Sequence, residues 1–178
     1  MLLCIDVGNT NTVLGLYDGD TMIAHWRIAT DRAKTADEYV LILQGLLALR
    51  GLKLSAITDI ALASVVPPLN NALNQLARRH LNIEPLVVTN ETETGITIGY
   101  SRPEEVGADR IVNAVGVMHK HRLPAIVVDF GTATTFDVVS KDGVYVGGAI
   151  SPGLSISTQA LFERAARLPR IQIVPPKH

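Results

Sequence analysis

One short pattern occurs twice in this chain, and it constrains the fold more than any other feature. An apolar run ends in an acidic residue, a glycine follows two positions later, and small hydroxyl and amide residues then lead into a second apolar run. The copies are the segments Asp6 to Thr12 and Asp129 to Thr135. Each second run reaches an Asp-Gly pair, the commonest hairpin turn signal. Two copies of one strand–loop–strand unit predict two similar lobes that face each other across a cleft.

Both loops have the composition of an anion-binding site. Glycine lets backbone N–H groups approach an anion closely, and Thr and Asn side chains add hydrogen-bond donors. Phosphate would repel the Asp at the strand end, so we expect that Asp to hold a cation, Mg²⁺ or a monovalent ion, that neutralises the phosphates. The alternative is that each Asp-x-Gly is only a hairpin turn beside a core strand. No Walker A sequence is present, and no Gly-x-Gly-x-x-Gly opens a helix.

Length and composition set broad limits on the class of protein. With 178 residues, 47% of them hydrophobic, the chain can form one domain or two small lobes with a buried core. A net charge of −1 provides no general field for nucleic acid or an anionic membrane, so we expect neither as a partner. The first residues lack the basic start of a signal peptide, and the single cysteine, Cys4, excludes an internal disulfide. A cytoplasmic location is therefore expected.

Strand and helix signals alternate along the chain, which predicts an α/β fold with mixed or parallel strand pairing. Thr35 and Glu38 form a capping-box pattern before the apolar run Tyr39–Leu49, and this predicts a helix. Residues 90–106 are rich in Thr, Glu, Gly and Pro, which predicts a long loop or a short hairpin. A further helix is predicted from about residue 107 to residue 121.

The two predicted lobes are unequal. Residues 1–123 form the first lobe, which carries the first loop, and residues 124–178 form the start of a second lobe with the second loop. This second lobe has three strands and the start of a helix near Ser155–Arg167, but no counterpart to the segment Ile57–Thr89. The sequence ends in a proline-rich piece, Val174 to His178, that predicts extended chain. We therefore expect the chain to be truncated relative to the architecture that it implies.

A second motif, Gly107-Ala108-Asp109-Arg110, places an acid beside a guanidinium group at a helix start. In a structural interpretation, the Asp complements the helix dipole and the Arg pairs with a nearby surface Glu. In a functional interpretation, the carboxylate takes a proton from a substrate hydroxyl as that hydroxyl attacks a γ-phosphate. The Arg would then bind a substrate carboxylate or the charge that develops in the transfer. The motif by itself leaves both interpretations open.

Taken together and in this order, the two loops and the motif at residues 107–110 resemble those of type III pantothenate kinase. Arg27 with Thr30, and the helix start at Thr35, are similar to the family as well. The resemblance runs over essentially the whole chain. It implies the fold of acetate and sugar kinases, Hsp70 and actin, an α/β fold of two ribonuclease H-like lobes, with the second lobe incomplete here.

The resemblance also implies an activity, namely ATP-dependent phosphorylation of pantothenate to phosphopantothenate, the first step of coenzyme A biosynthesis. It implies Mg²⁺ or another divalent metal, K⁺ or NH₄⁺ as a monovalent cation, and a homodimer. Asp109 matches the family's catalytic base, Asp129 matches the monovalent-cation ligand, and Asp6 would hold the divalent metal directly or through water.

Other positions are carried over from the family as binding residues. The ATP-binding positions would be Asp6, Val7, Gly8, Asn9, Thr10, Asn11, Thr12, Val13 and Thr132. The substrate-binding positions would be Tyr100, Gly107, Ala108, Asp109 and Arg110.

Two other functions stay open at this point. One is a non-catalytic nucleotide-binding accessory or regulatory protein of the same fold, which the short C-terminal part favours. The other is a kinase for a different small hydroxylated acid, since Arg110 and Tyr100 would suit any short carboxylate with a polar tail.

Overall fold

A computed structural model describes residues 1–165 and 173–174. The chain forms two compact units: Met1–Glu93 with Glu104–Val112, and Thr94–Pro103 with the chain from Asn113 onward. These units divide the chain at other places than residue 123, and the lobe boundary predicted from the sequence stays a prediction. Residues 166 and 167 of the last predicted helix, and residues 175–178 of the predicted extended end, lie outside the described residues.

The first unit contains a five-stranded mixed sheet. Its strands are β1 (Leu2–Val7), β2 (Asn11–Asp18), β3 (Thr21–Ala29), β4 (Asp59–Ser64) and β5 (Leu86–Val87). They lie in the order β3-β2-β1-β4-β5. Strand β1 is antiparallel to β2 and parallel to β4, which confirms the predicted mixed α/β pairing.

Two helices belong to the first unit, α1 (Ala36–Ala48) and α2 (Pro67–Gln75). Helix α1 begins at the predicted capping box: the Thr35 N–H donates to Glu38 Oε2 at 2.8 Å, and the Glu38 N–H donates to Thr35 Oγ1 at 3.3 Å. A short 3₁₀ turn, Leu54–Ala56, precedes β4. After α2 the chain continues as a π-helical turn, Leu76–Leu81.

The core of the first unit forms between the sheet and these helices. Side chains of β1 point alternately to the two faces of the sheet. Leu3, Ile5 and Val7 are buried on one face, and Asp6 is exposed on the other. Leu43 and Leu47 of α1 are buried against the sheet, and burial of each such side chain stabilises the fold by about 1.5–3 kcal/mol.

The second unit contains a four-stranded sheet in the order β6-β9-β8-β7. Its strands are β6 (Thr97–Ile98), β7 (Ala125–Phe130), β8 (Ala133–Val139) and β9 (Val144–Pro152). Two further helices are α3 (Ala108–Lys120), which belongs to this unit from Asn113 onward, and α4 (Leu154–Arg164). Strand β6 lies in the segment predicted as a long loop or a short hairpin, and it pairs with the distant β9 instead. A short 3₁₀ turn, Pro103–Glu105, follows it.

The strand–loop–strand repeat is confirmed. Strands β1, β2 and β3 form an antiparallel set joined by short turns, and so do β7, β8 and β9. In both sets the turn after the second strand contains a glycine in the left-handed region, Gly19 at φ +55° and Gly143 at φ +75°. Glycine adopts this conformation without a steric penalty, which is why an Asp-Gly pair predicts the turn.

Candidate active site

Loop 1, residues 8–10, connects β1 to β2 in a tight turn. Val7 pairs with Thr12 across the two strands, and the Gly8 N–H donates to the Asn11 carbonyl at 3.0 Å. A Cβ atom at position 8 would lie 3.1 Å from that carbonyl oxygen, so the close approach favours glycine. The turn therefore brings several backbone N–H groups and small polar side chains together at the end of β1.

A segment directly after β3 holds loop 1 from one side. The Thr30 N–H donates to the Thr10 carbonyl at 2.9 Å, and the Thr30 hydroxyl donates to the Gly8 carbonyl at 2.8 Å. Arg32 Nη2 donates to Asn9 Oδ1 at 3.2 Å. Sequence reasoning noted Thr30 only as a position similar to the family and did not mention Arg32. Their contacts with loop 1 were not predicted, because they depend on how β3 pairs with β2.

A buried hydroxyl cluster lies behind loop 1. Thr12 is 0% exposed, and its Oγ1 lies 3.0 Å from Thr30 Oγ1. Tyr39 of α1 is also buried, and its hydroxyl has no hydrogen-bond partner in the described part of the chain. Burial raises the pKa of Tyr39. The neighbouring hydroxyl of Thr12 lowers this pKa by a smaller amount.

The motif at residues 107–110 lies in the same unit as loop 1. The Val65 N–H donates to the Val7 carbonyl at 3.0 Å, and a Cβ atom at position 107 would lie 3.4 Å from Val65 Cγ1. Val65 therefore contacts both the end of β1 and the start of the motif. Because β1 and β4 are parallel and both end here, the motif and loop 1 share the carboxyl edge of the sheet, where α/β folds commonly bind ligands.

Asp109 is half-buried in the first turn of α3, and its carboxylate bends back over the helix start. Asp109 Oδ1 accepts a hydrogen bond from the Arg110 N–H at 2.8 Å. The Gly107 carbonyl accepts from the N–H groups of Arg110 and Ile111 at 3.1 and 3.2 Å. A carboxylate held by a backbone donor has a defined position, which a proton acceptor in catalysis needs.

Loop 2, residues 131–132, is the corresponding turn of the second unit. The Gly131 N–H donates to the Ala133 carbonyl at 2.9 Å, and the exposed Thr132 accepts from the Gly153 N–H through its carbonyl at 3.0 Å. Gly153 is the N-cap of α4. The start of α4 is therefore attached directly to loop 2.

Asp129, at the start of the second copy, is exposed and receives a side-chain hydrogen bond. Asn113 Nδ2 of α3 donates to Asp129 Oδ2 at 3.3 Å. Asn113 was missed by sequence reasoning, because one helical amide among many carries no signal of what it contacts. The contact orients the Asp129 carboxylate within the second unit.

Tyr100 belongs to the second unit and is 39% exposed. Its ring lies beside Gly147, where a Cβ atom would be 3.4 Å from Tyr100 Cδ2. Of the predicted site residues, loop 1, Asp109 and Arg110 thus belong to the first unit, while Tyr100, Asp129 and Thr132 belong to the second.

A buried carboxylate in β8 was also missed. Asp137 is 0% exposed, and its oxygens accept hydrogen bonds from the Tyr145 hydroxyl at 2.9 Å and the Thr135 hydroxyl at 3.4 Å. A buried polar group is tolerated only when it is hydrogen-bonded, and these hydroxyls supply such bonds. Asp137 thereby links β8 to β9 through Tyr145.

Residues 1–165 and 173–174 contain no group of three or more His, Cys, Asp or Glu side chains that could hold a metal ion. Within the same residues, no helix is long and apolar enough to cross a membrane.

Comparison with solved structures identifies the fold. The ethanolamine utilization protein EutJ from Carboxydothermus hydrogenoformans superposes with a TM-score of 0.54 at 19% identity, over 94% of this chain and 57% of that one. A protein assigned as a 2-dehydro-3-deoxygalactonokinase from Sinorhizobium meliloti superposes with a TM-score of 0.52 at 16% identity, with the same coverage. At these identities the likeness shows the fold alone. The fold is that of acetate and sugar kinases, Hsp70 and actin, as the sequence predicts.

Comparison of sequences identifies the family. A family model described as type III pantothenate kinase matches residues 2–178. Proteins named type III pantothenate kinase are 55% identical in Moorella thermoacetica and 53% identical in Geotalea daltonii, each over 176 residues. The match covers 99% of this chain and 69% of each relative. This chain belongs to the type III pantothenate kinase family.

Proposed function

We propose that this chain catalyses the ATP-dependent phosphorylation of pantothenate, the first step of coenzyme A biosynthesis. Membership of the type III pantothenate kinase family over residues 2–178 carries this proposal. The geometry agrees with phosphoryl transfer, because loop 1 and the Asp109 carboxylate lie at one edge of one sheet. The accessory-protein alternative has no comparable support, since the named relatives in the family are kinases.

Loop 1, with the end of β1 and the start of β2, is proposed to bind the ATP phosphates through backbone N–H groups and small polar side chains, at positions 6–13. Thr132 of loop 2 is proposed as a further contact with a nucleotide phosphate. In this class of reaction the protein contributes mainly by positioning the reactants and neutralising charge. The tight turn at Gly8 and the hydrogen bonds from Thr30 would hold loop 1 in the conformation that binds phosphate.

Asp109 is proposed as the base that accepts the proton of the pantothenate hydroxyl as that oxygen attacks the γ-phosphate. Arg110 is proposed to bind the pantothenate carboxylate, which a guanidinium group can contact with two parallel hydrogen bonds. Gly107, Ala108 and Tyr100 are proposed as the remaining substrate contacts.

The proposed function implies two kinds of cation. A bound divalent ion such as Mg²⁺ would neutralise phosphate charge, and hard carboxylate oxygens are the ligands that it prefers. Asp6 suits this role because its carboxylate is exposed at the end of β1. Asp129, oriented by Asn113, is proposed as the ligand of K⁺ or NH₄⁺.

Three further features are proposed. The protein forms a homodimer, it is located in the cytoplasm, and its first lobe ends at residue 123.

The test of the function is a coupled kinase assay with pantothenate and with other short hydroxylated acids. We expect phosphorylation of pantothenate, and loss of turnover in Asp109→Asn with nucleotide binding and folding near normal. The matched control is Asp142→Asn in the exposed turn before β9, which should keep full activity. A wild-type chain that binds ATP without phosphorylating pantothenate would support the accessory alternative instead. If Asp109→Asn were as active as the wild type, the assignment of Asp109 as the base would be wrong.

The cation proposal has its own test. Replacement of potassium by sodium should weaken ATP binding, and Asp129→Asn should remove this difference between the two salts. ATP titrations of both proteins in both salts measure the effect. If the wild-type protein binds ATP with the same affinity in potassium and in sodium, the proposed role of Asp129 is wrong.

A further inference from the structure

We propose that Thr30 is a positioning residue that sets the direction of the peptide groups in loop 1, and thereby the affinity of the site for the phosphates of ATP. This inference rests on the proposed function. It concerns a residue outside the loop, which the sequence marks as similar to the family but to which it assigns no specific role.

The first step of the argument is that Thr30 contacts two different peptide groups of the loop. Its N–H donates to the Thr10 carbonyl at 2.9 Å, and its hydroxyl donates to the Gly8 carbonyl at 2.8 Å. Both carbonyls therefore turn toward Thr30. A third carbonyl, that of Asn11 at the start of β2, accepts from the Gly8 N–H.

The second step follows from the planarity of the peptide group. In a trans peptide the C=O bond and the next N–H bond point in opposite directions. Because the Gly8 and Thr10 carbonyls turn toward Thr30, the N–H groups of Asn9 and Asn11 point away from it. N–H groups directed to the side away from Thr30 offer hydrogen-bond donors to an anion, while carbonyl oxygens directed there would repel phosphate. Thr30 thus selects the loop conformation that suits an anion.

The third step is that the Thr30 hydroxyl is itself held in place. A hydroxyl group has one proton to donate, and that of Thr30 goes to the Gly8 carbonyl. In the contact between Thr12 and Thr30, Thr12 is therefore the donor. Thr12 is 0% exposed. The orientation of Thr30 is thus supported by a residue buried in the core.

The decisive experiment compares Thr30→Val with Thr30→Ser. Valine has the shape of threonine and retains the backbone bond to Thr10, but it removes both hydroxyl contacts. We expect Thr30→Val to raise the KM for ATP by about tenfold, the loss expected for two neutral hydrogen bonds. The KM for pantothenate should stay the same, and Thr30→Ser should restore the KM for ATP.

A binding measurement separates this inference from the proposed function. A non-hydrolysable ATP analogue should bind Thr30→Val more weakly by the same factor, whereas adenosine, which has no phosphates, should bind both proteins equally. Thr21→Val, at the opposite end of β3 and exposed, is the matched control and should bind the analogue like the wild type. This comparison needs no turnover, so it stays informative even if pantothenate is not the substrate.

Three results would overturn the inference. The first is an unchanged affinity of folded Thr30→Val for the analogue. The second is an equal loss of affinity for adenosine, which would indicate general damage to the site. The third is failure of Thr30→Ser to restore binding. Thermal unfolding of each variant shows whether it is folded, and Thr30→Ala replaces Thr30→Val in every comparison if the valine variant is not.

Discussion

Gly107 and Asp109 share one small space at the start of α3. A Cβ atom at position 107 would lie 2.5 Å from Asp109 Oδ1, which is closer than such atoms approach. The same oxygen accepts the Arg110 N–H at 2.8 Å, so the carboxylate is held on the side of the helix. The missing side chain at position 107 is therefore what allows the carboxylate to bend back over the helix start.

Gly107→Ala should displace the Asp109 carboxylate and slow the chemical step. We expect kcat to fall roughly 10- to 100-fold, because displacement of a catalytic group by a fraction of an ångström to about 1 Å has effects of this size. The KM for ATP should change little. Gly116→Ala in the same helix is the control, since a Cβ atom there meets nothing within 4 Å. Normal kcat in a folded Gly107→Ala would contradict the argument.

Gly153→Ala should distort loop 2. A Cβ atom at position 153 would lie 2.5 Å from the Thr132 carbonyl oxygen and would also press on the Gly131 carbonyl. These are backbone atoms that cannot swing aside, so the start of α4 or the loop itself must move. We expect a loss of about 1–3 kcal/mol in the free energy of unfolding, the usual cost of such overpacking. Urea denaturation measures this loss, and an unchanged midpoint would show that the loop accommodates a methyl group.

Gly45→Ala should stabilise the protein. Gly45 lies within α1, and a Cβ atom there meets nothing within 4 Å. Alanine restricts the unfolded chain and favours the helix, so we expect a gain of about 0.5–1 kcal/mol in the free energy of unfolding. The same urea titration as for Gly153→Ala provides the measurement. A destabilised Gly45→Ala would indicate that this face of α1 contacts something that the described residues do not include.

The capping box makes stability depend on pH. The backbone N–H and hydroxyl of Thr35 donate to the Glu38 carboxylate and hold its pKa below the ordinary value of 4.5. Since the folded-state pKa is lowered, the stabilisation is present above the ordinary pKa and is lost as the pH falls through the folded-state pKa. Glu38→Gln should therefore reduce the decline of Tm between neutral and acidic pH. The exposed Glu93→Gln is the control, and an identical pH profile for Glu38→Gln and the wild type would contradict the assignment.

Some features could be predicted because they depend on neighbours in the chain. The capping box needs only Thr35 and Glu38, three residues apart, and the hairpins at Gly19 and Gly143 need only a pair of turn residues. The repeat itself predicted two similar antiparallel sets of strands. By contrast, β6 was not predicted, because its two residues become a strand only by pairing with β9.

The sequence by itself determined the family, the α/β class and the positions of both loops, because short motifs and hydrophobic periodicity are properties of neighbouring residues. Only the tertiary structure decided what supports those motifs. Thr30 bonds to Gly8 across 22 positions, and Asn113 bonds to Asp129 across 16. Such contacts follow from strand register and helix packing, which depend on the whole core rather than on any local pattern.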